Sequence, residues 1–273
     1  MNFQLPFIPE RSEKPRNEGL TMMMDKGISV KEAEEFVESS AEYTDYVKFG
    51  FGTSAITTKL EEKLNIYRQA NIRPYFGGTL FEAFIVRNMF DDYRKLMDKY
   101  KLDLVEVSDG SMSMPHDKKL EYISALSKQA TVLSEVGSKQ RGVFIPADQW
   151  VQMMKTELES GAHKVIAEAR ESGTIGIYNS DGSANESLIN TISKQINNSD
   201  ILWEAPDGKQ QVWFIKLFGA NVNLGNIATN NVIPLECLRL GLRGDTFFDF
   251  LPADYKTQKQ TAFDHIPYID FQI

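Results

Sequence analysis

Charged side chains in this sequence recur at the ends of short apolar runs. "VIAEARESG" (Val165–Gly173) opens like a buried strand and then places Glu168 and Arg170 two residues apart. In an extended chain that spacing puts both on the face of Ile166. The same ordering repeats: Asp25 and Lys26 follow "GLTMMM", Lys48 lies in "YVKFG", and Glu106 and Asp109 close "DLVEVSDG". Glu135 and Lys139 follow "TVLS", Glu204 follows "ILW", and Asn221, Asn223 and Asn226 lie in "ANVNLGN". Carboxylates and carboxamides without a His/Cys cluster suit a hard, oxygen-liganded ion such as Mg²⁺. Lys and Arg beside them suit a phosphate or carboxylate substrate. The glycine-rich "GGTLFE" (Gly77–Glu82), with Gly78 and Thr79, opens a helix whose free N–H groups can bind an anion, and "GNIATNN" after Gly225 offers the same.

Each of these residues also has a plainer reading. Glu168 and Arg170 can form a structural ion pair, and Lys48 can extend outward between helices. Glu106 and Glu135 can cap neighbouring helices, Asp109 can hold the "SDGS" turn, and Lys139 can be an exposed loop lysine. His116 and His163 read as surface or helix-edge residues. Single residues decide little; their common position at the ends of the runs is the stronger signal.

The elements that must position them alternate. Eight apolar runs are visible: Gly19–Asp25, Tyr46–Gly50, Ile72–Gly78, Asp103–Gly110, Thr131–Gly137, Lys164–Glu171, Ile201–Pro206 and Ala220–Asn226. Between them lie helix-like segments with apolar residues three and four apart, such as "LEEKLNIYRQA", "FDDYRKLMDKYK" and "ADQWVQMMKTELESGA". "SVKEAEEFVESSA" begins with Ser29 and has Glu32 three residues on, a capping-box pattern. Strand–helix alternation predicts a parallel sheet, and eight units predict a closed (β/α)8 TIM barrel in one domain. The C-terminal strand ends then share one rim, where barrels of this kind assemble their sites. No GxGxxG follows the first strand, which removes the main support for a dinucleotide-binding sheet.

Composition narrows the partners. The net charge of -8 argues against nucleic acid or an anionic membrane surface. A single cysteine, Cys237, rules out an internal disulfide framework and a multi-cysteine zinc site. No run approaches the roughly 18 apolar residues of a membrane helix, no signal peptide is visible, and a cytoplasmic location is the simplest expectation. The residues alone thus point to a metal-assisted barrel enzyme acting on a small phosphorylated acid or sugar.

Several blocks occur in an order that resembles the phosphosulfolactate synthase family: "KPRNEGLTMMMDKG", "DYVKFGFGTSA", "PYFGGTLFE", "VEVSDGS", "EVGSK", "GAHKVIAEARESGTIGIY", "WEAP", "QVWFIKLFGANVNLGNI" and "LECLRLGLRGDT". The resemblance covers roughly residues 14–246, leaving 1–13 as an N-terminal extension and 247–273 as a tail expected to pack on the barrel or on a neighbouring subunit. It implies a (β/α)8 barrel and Mg²⁺-dependent addition of sulfite to phosphoenolpyruvate, giving (2R)-2-phospho-3-sulfolactate, as in coenzyme M biosynthesis. It also implies a homo-oligomer, a trimer being one form. On this reading Lys139, in "EVGSK", is the acid that protonates the substrate carbon. Glu135, Glu168 and Glu204 are the metal-ligand candidates. Lys48 and Arg170 hold phosphate, carboxylate or sulfite, with Lys26, Gly78, Thr79, Asp109, Asn223, Gly225 and Asn226 as further substrate contacts. Two alternatives stay open: a related lyase or aldolase on another phosphorylated acid, and a non-catalytic protein like the family's plant relatives, which are linked to heat tolerance.

Overall fold

The computed structural model describes residues 4–138, 144–169 and 172–256. Lys139, Arg170 and the tail beyond 256 lie outside the described residues. Eight strands alternate with helices along the chain: β1 (Thr21–Asp25), α1 (Val30–Ser40), β2 (Tyr46–Phe49), α2 (Leu60–Gln69), β3 (Arg73–Phe76), α3 (Gly78–Ile85), α4 (Phe90–Tyr100) and β4 (Leu104–Val107). They continue with α5 (His116–Leu126), β5 (Thr131–Val136), α6 (Ala147–Glu159), β6 (Ala162–Ala167), α7 (Glu186–Ser193), β7 (Ile201–Glu204), α8 (Gly208–Phe218), β8 (Leu224–Ile227), α9 (Val232–Arg239) and the short α10 (Ala253–Lys256). The paired strands are parallel and run β3-β2-β1-β8-β7-β6-β5-β4. Arg73 at the start of β3 donates to the Asp103 carbonyl ahead of β4 at 2.8 Å, so the two ends of this order stand together and the sheet is nearly a closed barrel. The expected (β/α)8 barrel is what the chain forms. No helix among the described residues is long and apolar enough to cross a membrane.

Two apolar layers make the core, and the two-residue period of a strand separates them. One set faces the helices. The other, Leu20, Met22, Tyr46, Tyr75, Leu104, Leu133, Ile166 and Leu202, fills the barrel. Moving two residues up five of these strands replaces each apolar side chain with a charged one: Tyr46 gives Lys48, Leu104 gives Glu106, Leu133 gives Glu135, Ile166 gives Glu168 and Leu202 gives Glu204. The barrel is thus apolar at mid-height and charged at its C-terminal mouth.

Helix α1 starts as expected: Glu32 N–H donates to Ser29 Oγ at 3.2 Å and Ser29 N–H to Glu32 Oε2 at 2.7 Å, a closed capping box. Helix α3 is an element the sequence reading did not separate. The β6 strand stops at Ala167, and Ala169 pairs antiparallel with Gly176, which begins an excursion before α7.

The lower end of the barrel corrects one expectation. The run Ala220–Asn226 predicts a strand that delivers Asn223 to the mouth, but β8 begins only at Leu224. Asn223 Oδ1 accepts from Leu20 N–H at 3.0 Å, and its amide donates to the Ser199 and Ile201 carbonyls at 3.1 and 3.0 Å. It therefore closes the N-terminal ends of β1 and β7, because carboxamides satisfy exposed backbone groups where strands begin. Asn221 accepts from Arg11 at the same end. Arg11 also pairs with Glu236 at 2.9 Å, so the N-terminal extension is stitched to the barrel base.

Leu202→Ala should cost about 2–5 kcal/mol of stability, as truncations in a tight core do. Urea unfolding would measure it. A loss below about 1 kcal/mol would mean that the inner layer is not close-packed.

Candidate active site at the barrel mouth

Lys48 stands at the centre of the mouth. Its Nζ lies 3.0 Å from Glu106, 3.2 Å from Glu204 and 3.3 Å from Glu135. All four residues are buried, at 4% exposure or less. Burial opposes the charge on Lys48, but the Glu106, Glu204 and Glu135 carboxylates outweigh it and hold its pKa well above the usual lysine value. That shift favours the ammonium form of Lys48 in this cluster. The plainer reading of Lys48, extension outward between helices, does not occur, since β2 points the side chain into the barrel.

The second oxygen of each carboxylate is also placed. Glu106 Oε1 accepts from Gly78 N–H at 2.6 Å. Glu204 Oε2 accepts from Ala169 N–H at 2.8 Å. Glu135 Oε1 accepts from Ser108 Oγ at 2.8 Å. Burial pushes the Glu204 carboxyl up to about 7; Lys48 opposes this, and the neighbouring Glu135 and Glu106 add to it. Burial and Glu106 likewise push the Tyr75 phenol well above its ordinary value.

Glycine makes the close approaches possible. A Cβ on Gly78 would lie 2.3 Å from Ser108 Cβ and 2.7 Å from Glu106 Oε1. At Gly137, where φ is +142°, a Cβ would lie 2.7 Å from Glu168 Cβ. Both positions need the missing side chain.

The remaining expected residues divide. Glu168 is fully buried and continues the inward face of Ile166. Gly78 gives its N–H to Glu106, so the start of α3 holds a protein carboxylate at that N–H where an external anion was expected. Thr79 is half-buried in the first turn of α3. Lys26 is exposed on the loop after β1, beside a depression of about 730 Å³. Asp109 pairs with Lys119 at 2.8 Å, and Lys119 also meets Glu157 at 3.0 Å, which draws Asp109 into a cluster between α5 and α6. Gly225 faces inward, where a Cβ would meet Met22 Cε at 2.7 Å. Asn226 sits beside it at φ +57°, where the β1–β8 register shifts. Among the described residues its N–H reaches only the weakly accepting Met22 sulfur at 3.4 Å, and its buried side-chain oxygen has no hydrogen-bond partner. Asn226 thus keeps donor and acceptor capacity at the mouth.

Glu135 and Glu204 meet around the Lys48 ammonium. Among the described residues no three His, Cys, Asp or Glu side chains stand together as a ready metal nest. The reading of single residues passed over three others. Glu82, on α3, lies with its Oε1 at 2.6 Å from Ser108 Oγ. Ser108 continues the inward parity of Glu106, a signal the two-residue period carried. Tyr178 donates to the Glu204 carbonyl at 2.7 Å from the excursion after β6, which no periodicity announces.

The sequence that builds this mouth matches known proteins. The family model described as (2R)-phospho-3-sulfolactate synthase (ComA) matches residues 9–245. The chain is 38% identical over 244 residues to phosphosulfolactate synthase of Bacillus subtilis (strain 168), covering 88% of this chain and 97% of that protein. It is 39% identical over 235 residues to phosphosulfolactate synthase of Methanocaldococcus jannaschii, covering 84% and 94%. The chain belongs to the phosphosulfolactate synthase family. Like its family, it is an enzyme. A solved 3-hexulose-6-phosphate synthase superposes with a TM-score of 0.51, covering 80% of this chain and 99% of that one. At 14% identity that likeness is one of fold.

Two outcomes follow for this member of the family. Gly78→Ala should destabilise the protein by about 1–3 kcal/mol through overpacking against Ser108, readable as a lowered melting temperature; an unchanged one would contradict the contact. The Glu204 carboxyl, raised from 4.5 to about 7, binds more proton folded than unfolded between those values. Stability from this group therefore falls as pH rises through that window, by at most about 1.4 kcal/mol per pH unit. Unfolding of wild type and Glu204→Gln from pH 4.5 to 8 should show their difference changing in that direction, and a flat difference would refute the assignment.

Proposed function

We propose that the chain catalyses addition of sulfite to phosphoenolpyruvate, giving (2R)-2-phospho-3-sulfolactate, with Mg²⁺ as cofactor. The observation that carries this reading is the 38–39% identity, over 84–88% of this chain, to synthases of that name, together with the buried ring of carboxylates around Lys48. Glu82, Glu106, Glu135, Glu168 and Glu204 are all at most 3% exposed. Lys48 is the cation in ion-pair contact with three of them among the described residues. The donors are all carboxylate oxygens, which suits a hard divalent ion in kind. Glu135, Glu168 and Glu204 are the proposed ligands, although Lys48 now holds Glu135 and Glu204 and no three such side chains among the described residues already stand together. Bound there, Mg²⁺ would supply stabilisation for negative charge that collects on the substrate carboxylate.

In the reaction the sulfite sulfur attacks the methylene carbon and forms the C–S bond. The double-bond electrons move onto the carboxylate, and the carbon bearing phosphate then takes a proton. Lys48, in contact with three carboxylates, would hold the ring in register. Lys139 is the proposed acid and Arg170 the proposed anion holder, both on the resemblance of their blocks. Asn226 offers an N–H and a carboxamide to a bound substrate. A cytoplasmic location and a homo-oligomeric state belong to the same proposal.

Incubation with phosphoenolpyruvate, sulfite and Mg²⁺ should give the sulfonated product by mass spectrometry, with loss of product on chelation. Folded protein that gives none would sink the reading. Lys139→Ala should lower turnover by about 10²–10⁴-fold, the usual worth of a positioned acid; retained turnover would remove Lys139 from that role.

A further inference from the structure

Lys119 on α5 is fully buried, and its ammonium joins three separate segments beside the barrel mouth. Its Nζ donates to the Glu135 main-chain carbonyl at 2.5 Å and to Asp109 Oδ1 at 2.8 Å. It lies 3.0 Å from Glu157 Oε1. Glu135 belongs to β5, Asp109 to the loop after β4, and Glu157 to α6. An ammonium has three hydrogens and no acceptor, so these contacts match its full capacity. Neutralising the buried Glu157 carboxylate would need only one of them.

The carbonyl contact meets a gap in the sheet. Strand β4 ends at Val107, whose partner on β5 is Ser134. Strand β5 runs on through Glu135 and Val136, paired with Ile166 and Ala167 of β6. Val136 O accepts from Glu168 N–H at 3.0 Å on the β6 side. Successive carbonyls of a strand point to opposite sides, so Glu135 O faces the β4 side, past the last pair there. A buried carbonyl left unpaired is costly. Lys119 supplies the donor at the point where β4 has left the ladder. The same ammonium holds Asp109, the residue after Ser108, and the Ser108 hydroxyl lies 2.8 Å from Glu135 Oε1. The loop after β4 and the end of β5 are thus fastened to each other through Lys119.

We infer that Lys119 is a positioning residue of this site: it fixes the end of β5, and with it the side chain of Glu135, against the loop that carries Asp109. It acts through those two residues. Its consequence for turnover rests on the proposed synthase reading, in which Glu135 is part of the ring around Lys48. Without the ammonium the Glu135 carbonyl loses its donor and the Asp109 loop is released, so the ring loses register on one of its sides. A misplacement of about 1 Å in such a site costs about 10²-fold in rate.

The test uses the full chain with Lys119→Met combined with Glu157→Gln, so that the stem keeps its length and no buried carboxylate is left facing it. Glu157→Gln alone is the control, because it keeps Lys119 with its Glu135 and Asp109 contacts. Circular dichroism checks each fold. Hydrogen exchange read by mass spectrometry should quicken about tenfold in the double variant over residues 104–112 and 131–138, with β1 and β2 unchanged, and should stay as in wild type in the control. With phosphoenolpyruvate, sulfite and Mg²⁺, kcat of the double variant should fall about 10–10²-fold with KM changed less than about threefold, while the control keeps its kcat within about threefold. Unchanged exchange in the double variant, or a control that loses as much kcat, overturns the inference. If the double variant does not fold, Asp109→Ala decides, since it cuts the loop arm alone: exchange should quicken over residues 107–112, and unchanged exchange there overturns the inference. If wild type makes no product, the synthase reading fails, while the exchange data still show whether Lys119 holds the strand end and the loop.

Discussion

The Lys48 ammonium, enclosed by three carboxylates out of contact with bulk water, is the interaction on which the rest of this mouth depends. An ammonium or a carboxylate alone at such depth is too costly to keep charged. Together they are stable only while the geometry holds. Glu106, Glu135 and Glu204 come from three different strands, so the ion cluster exists only when β2, β4, β5 and β7 are in register. The barrel and the site thus specify each other. Slipping one strand by a residue would turn its charge toward the helices and an apolar side chain into the cluster.

The second oxygens extend this dependence outward. Glu106 is held by the first N–H of α3, Glu204 by the Ala169 N–H just past β6, and Glu135 by Ser108 beyond β4. Each carboxylate is thus pinned by a loop or helix start as well as by Lys48. Gly78 allows the first of these contacts because any side chain there would collide with Ser108. A site built this way is preorganised: its charges are already oriented before substrate arrives, and little reorganisation is needed during the reaction.

Much of this was legible in the sequence because its main determinants are local and periodic. The two-residue alternation carries Ile166 to Glu168 and Leu202 to Glu204, and the eight-fold strand–helix rhythm places those residues on one rim. The Ser29–Glu32 cap was legible for the same reason. What stayed hidden depends on contacts between distant segments. Asn223 looked like a rim residue because it lies in an apolar run, yet that run enters the barrel from below and the carboxamide is used on Leu20, Ser199 and Ile201. Asp109 looked available until α5 supplied Lys119. Glu82 sits on a helix, off the strand period, and only the approach of Ser108 brings it to the mouth.

A final consideration is how an acidic mouth could accept anions. Five buried carboxyl groups stand there with Lys48, in a chain of net charge -8. Fully ionised, they would repel a phosphorylated carboxylic acid strongly at this low dielectric. Burial pushes the Glu204 carboxyl up to about 7, which lowers that charge without adding a cation. A divalent ion on the proposed ligands would bring the ring close to neutrality, leaving cationic side chains outside it to meet the substrate. On the proposed reading, a bound divalent ion would make the acidic ring compatible with an anionic substrate. Its carboxylates serve to hold positive charge at fixed positions.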